Sequence, residues 1–204
     1  YVAAQFSRQQ IQTMRRYGVR TVVMCPDPDG GGDRGALASV KALATAGITP
    51  HVAPRLPDGV DPDEFVIREG IDEWREHVAR AISGALHVAR VGLEGIEPSS
   101  PELRKREALE AVARDVRCLL TGPWGAMGAQ EVTTACAAAT GWSSEVLQPL
   151  FSTGEPAEES PEPMPDGNCE RNWAGLNTAT TDPGILIMTG RKSVLSSPGL
   201  RDPG

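Results

Sequence analysis

The stretch Thr21-Val22-Val23-Met24-Cys25-Pro26-Asp27-Pro28-Asp29-Gly30-Gly31-Gly32 constrains the fold more than any other part of this 204-residue chain. Its apolar, β-branched opening predicts a strand over 20–25. The strand runs out into two carboxylates spaced i, i+2, which extended chain places on one face. Ligands of open α/β sheets sit at the carboxyl ends of the strands, so Asp27 and Asp29 are candidate site residues. Two like charges this close repel each other. A divalent cation removes that penalty, and an oxygen-only donor set suits Mg²⁺ or Mn²⁺. Gly30 and Gly32, with Gly31 between them, let a phosphate come close to the backbone. The plain alternative is a turn, because Asp, Pro and Gly are the commonest turn residues.

A second segment repeats the device. After the apolar run Ile48 to Val52, which predicts a strand over 48–54, the chain reads Leu56-Pro57-Asp58-Gly59-Val60-Asp61-Pro62-Asp63-Glu64-Phe65. Between the two acidic segments, Ala36, Val40, Leu43 and Ala44 recur at helical spacing and Ala46-Gly47 closes a helix over 33–46. Strand, acidic loop, helix, strand, acidic loop is a βαβ unit, whose parallel strands bring both loops to one sheet edge. Asp27, Asp29, Asp61 and Asp63 could then line one site. Asp61-Pro62-Asp63-Glu64 is equally a good helix start, with Asp as cap, Pro at the first position and acids in the first turn. Both readings can hold together.

The block Asp27-Pro28-Asp29-Gly30-Gly31-Gly32-Asp33-Arg34-Gly35, followed by the Asp61-Pro62-Asp63-Glu64-Phe65 segment, resembles the TOPRIM domain of bacterial (DnaG-type) DNA primases, which phage primases share. In that family an apolar strand leads into D-x-D-x-A-G with a basic residue close behind. A helix, a strand and G-x-D-P-D-E-F follow. Asp27 and Asp29 match the first acidic pair, Gly32 its glycine, Arg34 the basic position, and Asp61 and Asp63 the second pair. Gly31 stands where the family has Ala. The segment Ala3 to Ile11 resembles the family's stretch ahead of the D-x-D strand.

The resemblance implies an α/β fold class: a TOPRIM (Rossmann-like parallel sheet) fragment over 1–92, then a small helical subdomain over 99–151. The implied activity is that of a DNA primase, a DNA-directed RNA polymerase that makes short RNA primers on single-stranded DNA by metal-dependent nucleotidyl transfer. It further implies Mg²⁺ or Mn²⁺ as cofactor, single-stranded DNA template and NTPs as partners, and a replicative helicase as a further candidate. Asp27 and Asp29 would be catalytic metal ligands, joined by Asp61 and Asp63. Gly30, Gly32 and Arg34 would meet nucleotide phosphates, although a solvated surface suits Arg34 equally well. The family also carries a Glu at the end of an earlier strand and an amino-terminal zinc module. Both would lie upstream of Tyr1, so the chain is expected to be amino-terminally truncated, inactive by itself and without zinc. Within the TOPRIM group a nuclease or a topoisomerase is the alternative enzyme. A non-catalytic relic acting as a binding module is the alternative of another class.

Rival D-x-D families fit less well. An EF-hand loop starting at Asp27 needs an oxygen donor at its fifth position and Glu at its twelfth, where Gly31 and Ala38 stand. A haloacid-dehalogenase-like phosphatase wants Thr or Val where Gly31 stands.

Composition limits the rest. The four cysteines are scattered, which points to a reducing, cytoplasmic setting, and no apolar run reaches the ~20 residues of a membrane span. A net charge of −7 weighs against tight nonspecific binding to nucleic acid. Helices are expected over 7–17 with Ser7 as cap, 62–69, 71–90, from Pro101 onward, 129–139 and 143–151. The stripe Ile71, Trp74, Val78, Ala81, Ile82, Ala85 reads as one buried helix face, Ser100 as a cap, and Arg104, Lys105 and Arg106 as a solvated one. His51, His77 and His87 show no ligand spacing. From Ser152 onward an acidic, proline-rich stretch predicts a linker or largely disordered tail over 152–204, in which Gly184 to Met188 is the one candidate strand.

Overall fold

The computed structural model describes residues 6–26, 30–57, 60–121, 124–152 and 185–189, with only the backbone of 30–34 and 185–189. Its first helix, α1 (Arg8–Arg16), starts where the local chemistry demands. Ser7 accepts from the Gln10 backbone N–H while the Gln10 side chain reaches back to Ser7, a reciprocal capping box. Ile11 and Met14 form its buried face. β1 (Thr21–Cys25) then enters the core, and only Thr21 is less than buried.

Burial on both faces marks β1 as a central parallel strand. It pairs in parallel with β2 (Thr49–Val52), Met24 facing Val52. On its other side it pairs in parallel with β4 (Ile185–Thr189), Met24 facing Met188. The strand expected over 184–188 is thus found at Ile185–Thr189, beside β1. A two-residue β3 (Ile82–Ser83) runs antiparallel to β2, giving the order β3-β2-β1-β4.

α2 (Gly30–Thr45) makes the β1-to-β2 crossover. It begins at Gly30 rather than at Asp33, so the three glycines form a helical first turn and not a separate loop. α3 (Pro62–Glu69) and α4 (Ile71–Ala79) meet at Gly70, whose φ of +92° and ψ of 167° lie in a region that is essentially glycine-only.

The helix expected over 71–90 is in fact two. α4 ends at Ala79, and the chain passes through β3 before α5 (Gly84–Gly92). The break is caused by a contact that is distant in sequence. Val52 and His51 pair with Ile82 and Ser83, and Gly84 lies so close to β2 that an added Cβ would stand 2.8 Å from Pro50 Cγ and 2.9 Å from Val40 Cγ1. The expected six-residue stripe is divided accordingly: Trp74 and Ala85 are buried in different layers, and Ile71 is exposed.

α6 (Glu102–Val116), a 3₁₀ turn (Arg117–Leu119), α7 (Gly125–Thr140) and α8 (Ser144–Phe151) complete the chain to 152. Pro101 is the cap position of α6, and Ser100 instead accepts from the Glu97 backbone N–H at 2.9 Å. Lys105 does not lie on a solvated face. It is buried along its stem while its ammonium reaches the exposed Glu102 carboxylate at 3.2 Å, as amphipathic side chains do.

Alternate β1 residues point into two apolar layers. Val22 and Met24 join Ile11, Met14, Val40, Leu43, Val88, Leu109, Val132, Leu147 and Phe151 in one continuous cluster. That cluster runs from α1 to α8 and ties the helices beyond residue 99 to the sheet. Val23 and Cys25 face the other layer, with Leu56 and Trp74, against which Phe65, Val66 and Val78 of α3 and α4 pack.

Candidate metal and nucleotide site

Pro26 is buried just past β1, and α2 opens at Gly30. Asp27 and Asp29 occupy the connection between them and lie outside the described residues. The second acidic segment leaves the same sheet edge. Ala53 donates to the Met24 carbonyl at 2.8 Å, which prolongs the pairing of β1 and β2 by one residue beyond β2. The chain then passes the buried Leu56 and Val60 to Asp61.

Asp61 caps α3, its Oδ1 accepting from the Glu64 backbone N–H at 2.8 Å. Pro62 follows at the first helical position and is buried. Asp63 and Glu64 are exposed in the first turn, where acids offset the helix dipole. Four residues beyond the cap, Phe65 packs against the layer that contains Cys25, its ring 6.2 Å from Trp74 and 5.5 Å from His77. Phe65 thus anchors α3 to the layer that begins at the end of β1. Asp61 is thus a helix cap.

Gly30 and Gly32 lie in the first turn of α2, where the leading backbone N–H groups lack intrahelical acceptors and favour anions. Arg34 is in the same helix, its side chain outside the described atoms. Among the described residues no group of three or more His, Cys, Asp or Glu side chains is gathered as a metal cluster. The donor chemistry of the four Asp residues is oxygen-only and hard, and so fits Mg²⁺ or Mn²⁺.

Among the described residues, neither the buried cysteines nor the histidines compete for this role. Burial pushes the Cys25 and Cys136 thiols up to about 12, so neither is a nucleophile at neutral pH. His77 is structural: it stacks on Trp74 with ring centroids 5.9 Å apart, and its Nε2 lies 2.9 Å from the Pro54 carbonyl. Burial lowers the pKa of all three histidines. Glu131 opposes the shift at His51, Arg55 and Arg90 add to it at His87, and at His77 the Pro54 bond opposes it while Arg80 adds to it. Among the described residues His51 Nδ1 and His87 Nε2 have no hydrogen-bond partner.

A pH dependence follows. Groups held neutral in the fold bind fewer protons than in the unfolded chain. Their stabilisation is complete above the ordinary histidine value of 6.5 and drains away as pH falls below it. Chemical unfolding between pH 7.5 and 5 should show stability falling with a slope approaching about 1.4 kcal/mol per pH unit for each proton taken up. The slope should shrink in His51→Gln/His87→Gln. An unchanged slope in that variant would assign the acid sensitivity to other groups.

Among the described residues no helix is long and apolar enough to cross a membrane. The chain is similar to several known proteins. The Toprim-like family matches residues 2–66. A DNA primase of Chlamydia trachomatis is 29% identical over 120 residues, covering 59% of this chain and 19% of the relative. A crystal structure of a DNA primase domain from Pseudomonas aeruginosa superposes with a TM-score of 0.52 at 22% identity, over 71% of this chain and 44% of that one. The structure of the DnaG catalytic core gives 0.51 at 20% identity, over 68% of this chain and 44% of that one. The chain therefore spans less than half the length of each of these relatives, and the two structural likenesses concern the fold alone.

Proposed function

Because residues 2–66 carry a TOPRIM-like domain of the DnaG-primase type, we propose that this chain is the later part of a primase catalytic domain and contributes the carboxylates of a nucleotidyl-transfer site. The observation that carries this reading is the parallel register of β1 and β2, extended by the Ala53-to-Met24 hydrogen bond. The chain leaves β1 and β2 in the same direction, ahead of the Asp27/Asp29 pair in one case and the Asp61/Asp63 pair in the other. Asp27 and Asp29 are the primary metal ligands. Asp61 and Asp63 extend the set.

A divalent ion held there would neutralise the triphosphate and activate the attacking hydroxyl. The chain's own part is positional. The first turn of α2 presents backbone N–H groups, with Gly30 and Gly32 adding no side chain between them and a phosphate. Arg34 adds a fixed positive charge on that helix. Single-stranded DNA and NTPs are the substrates of this reading, and a replicative helicase is a candidate partner of the assembled protein.

The test is metal-dependent nucleotide binding. A fluorescent NTP analogue titrated with this chain should bind in Mn²⁺ and release on chelation. Asp27→Asn should weaken it at least tenfold. Binding that is equal with and without metal, or untouched by Asp27→Asn, would sink the reading.

A further inference from the structure

The chain is acidic, yet its first 26 residues contain four arginines (Arg8, Arg15, Arg16 and Arg20) and no Asp or Glu. α1 and α2 enclose a groove of about 400 Å³ lined by Arg8, Ile11, Gln12, Arg15, Lys41 and Thr45. Arg8, Gln12 and Arg15 fall at i, i+4 and i+7, one face of α1, and all three are exposed. Lys41 and Thr45 form the opposite wall at i, i+4 on α2. Lys41 is paired with Asp115 at 2.8 Å and is still 42% exposed. Among the described residues Arg8 and Arg15 have no carboxylate partner.

Helix stability accounts for only part of this arrangement. Arg15 and Arg16 in the last turn suit the helix dipole, but Arg8 at the first helical position opposes it. A cation kept at the unfavourable end, in line with a second cation on the same helix face and opposite Lys41 across the groove, is placed for an external anion. A rise of 1.5 Å per residue separates Arg8 and Arg15 by about 10.5 Å along the axis, the span of about three phosphates in a stacked strand. The exposed Gln12 between them offers both donor and acceptor. The floor is apolar and shallow, which suits a backbone lying across it rather than a buried small molecule.

We propose that the α1–α2 groove binds the phosphate backbone of single-stranded nucleic acid through Arg8, Arg15 and Lys41. The groove is built from other residues than the acidic strand edge and needs no metal. The inference rests on the proposed function only for the presence of such a strand nearby.

Fluorescence anisotropy with a labelled oligothymidylate and the full 204-residue chain, in chelator, tests it. Three contacts on a single strand should give a slope of log affinity against log salt of about −2, from about −0.7 per phosphate. Arg8→Gln/Arg15→Gln should bring the slope to about −0.7 and weaken binding at least tenfold. Arg8→Lys/Arg15→Lys, which keeps the charges, should retain the slope. Asp27→Asn/Asp29→Asn should leave it unchanged, so the groove can stand or fall independently of the metal site. No binding in chelator, or binding indifferent to the double Gln variant, would overturn the proposal. Binding only after Glu155, Glu158, Glu159 and Glu162 are all changed to Gln would also overturn it, by giving the groove to the chain's own acidic segment.

Discussion

Phe151→Ala destabilises the protein by about 3–5 kcal/mol, and the loss is felt at the sheet as well as in α8. Phe151 is 2% exposed and is among the largest fully buried side chains. It belongs to the same apolar cluster as Val22 and Met24 of β1. α8 packs on α7, α7 on α5, and α5 on β2 and α6, so a cavity at Phe151 opens into a layer continuous with the strands. Urea unfolding checks this with two probes: far-UV circular dichroism, dominated by helices, and fluorescence of a variant retaining only Trp74. Trp74 lies in the opposite layer, beside Cys25. Both probes should report one transition and shift together in Phe151→Ala. A Trp74 transition that stays put while the helical signal moves would make residues beyond 99 a separately folding unit.

The second large effect is linkage to metal. Mn²⁺ at about 100 times its dissociation constant should raise the unfolding free energy by about 2.7 kcal/mol. Asp27→Asn/Asp29→Asn should abolish the increment. In chelator the same double variant should be no less stable than the native chain, because exchanging two adjacent carboxylates for amides removes their repulsion. Asp61 needs a separate variant, since it also caps α3 through Glu64. Asn caps about as well as Asp, so Asp61→Asn keeps the helix start while removing the charge. A weaker Mn²⁺ increment in Asp61→Asn, at unchanged stability in chelator, would add Asp61 to the ligand set. An increment that survives Asp27→Asn/Asp29→Asn would refute the primary assignment.

The elements that local chemistry controls were readable from the chain. Ser7 and Gln10 announce α1, the Thr21–Cys25 run announces β1, and Asp61-Pro62 announces α3. In each case the deciding contacts lie within four residues or follow a strict period. The two D-x-D segments were legible as a pair because a βαβ unit leaves little freedom in where its strand ends point.

What stayed hidden depends on distant contacts. The apolar period continues from Trp74 through Ala85, so nothing local reveals that Ile82 and Ser83 pair with β2 and cut the helix. Lys105 sits in a basic triplet, and only the packing of α6 buries its stem. The 184–188 run was visible as a candidate strand, but its place beside β1 is a pairing across more than 160 residues of chain. The α1–α2 groove combines Arg8 and Arg15 with Lys41, which a strand separates in sequence. The i, i+4, i+7 row of Arg8, Gln12 and Arg15 was its only local sign.

The most direct test of the central claim, that the D-x-D segment after β1 is a divalent-metal site, is paramagnetic broadening of backbone amide signals during a Mn²⁺ titration of the isotope-labelled chain. The account predicts that broadening is strongest at residues 27–32, extends to residues 61–63, and disappears in Asp27→Asn/Asp29→Asn. Broadening centred elsewhere, or unchanged in that variant, would contradict it.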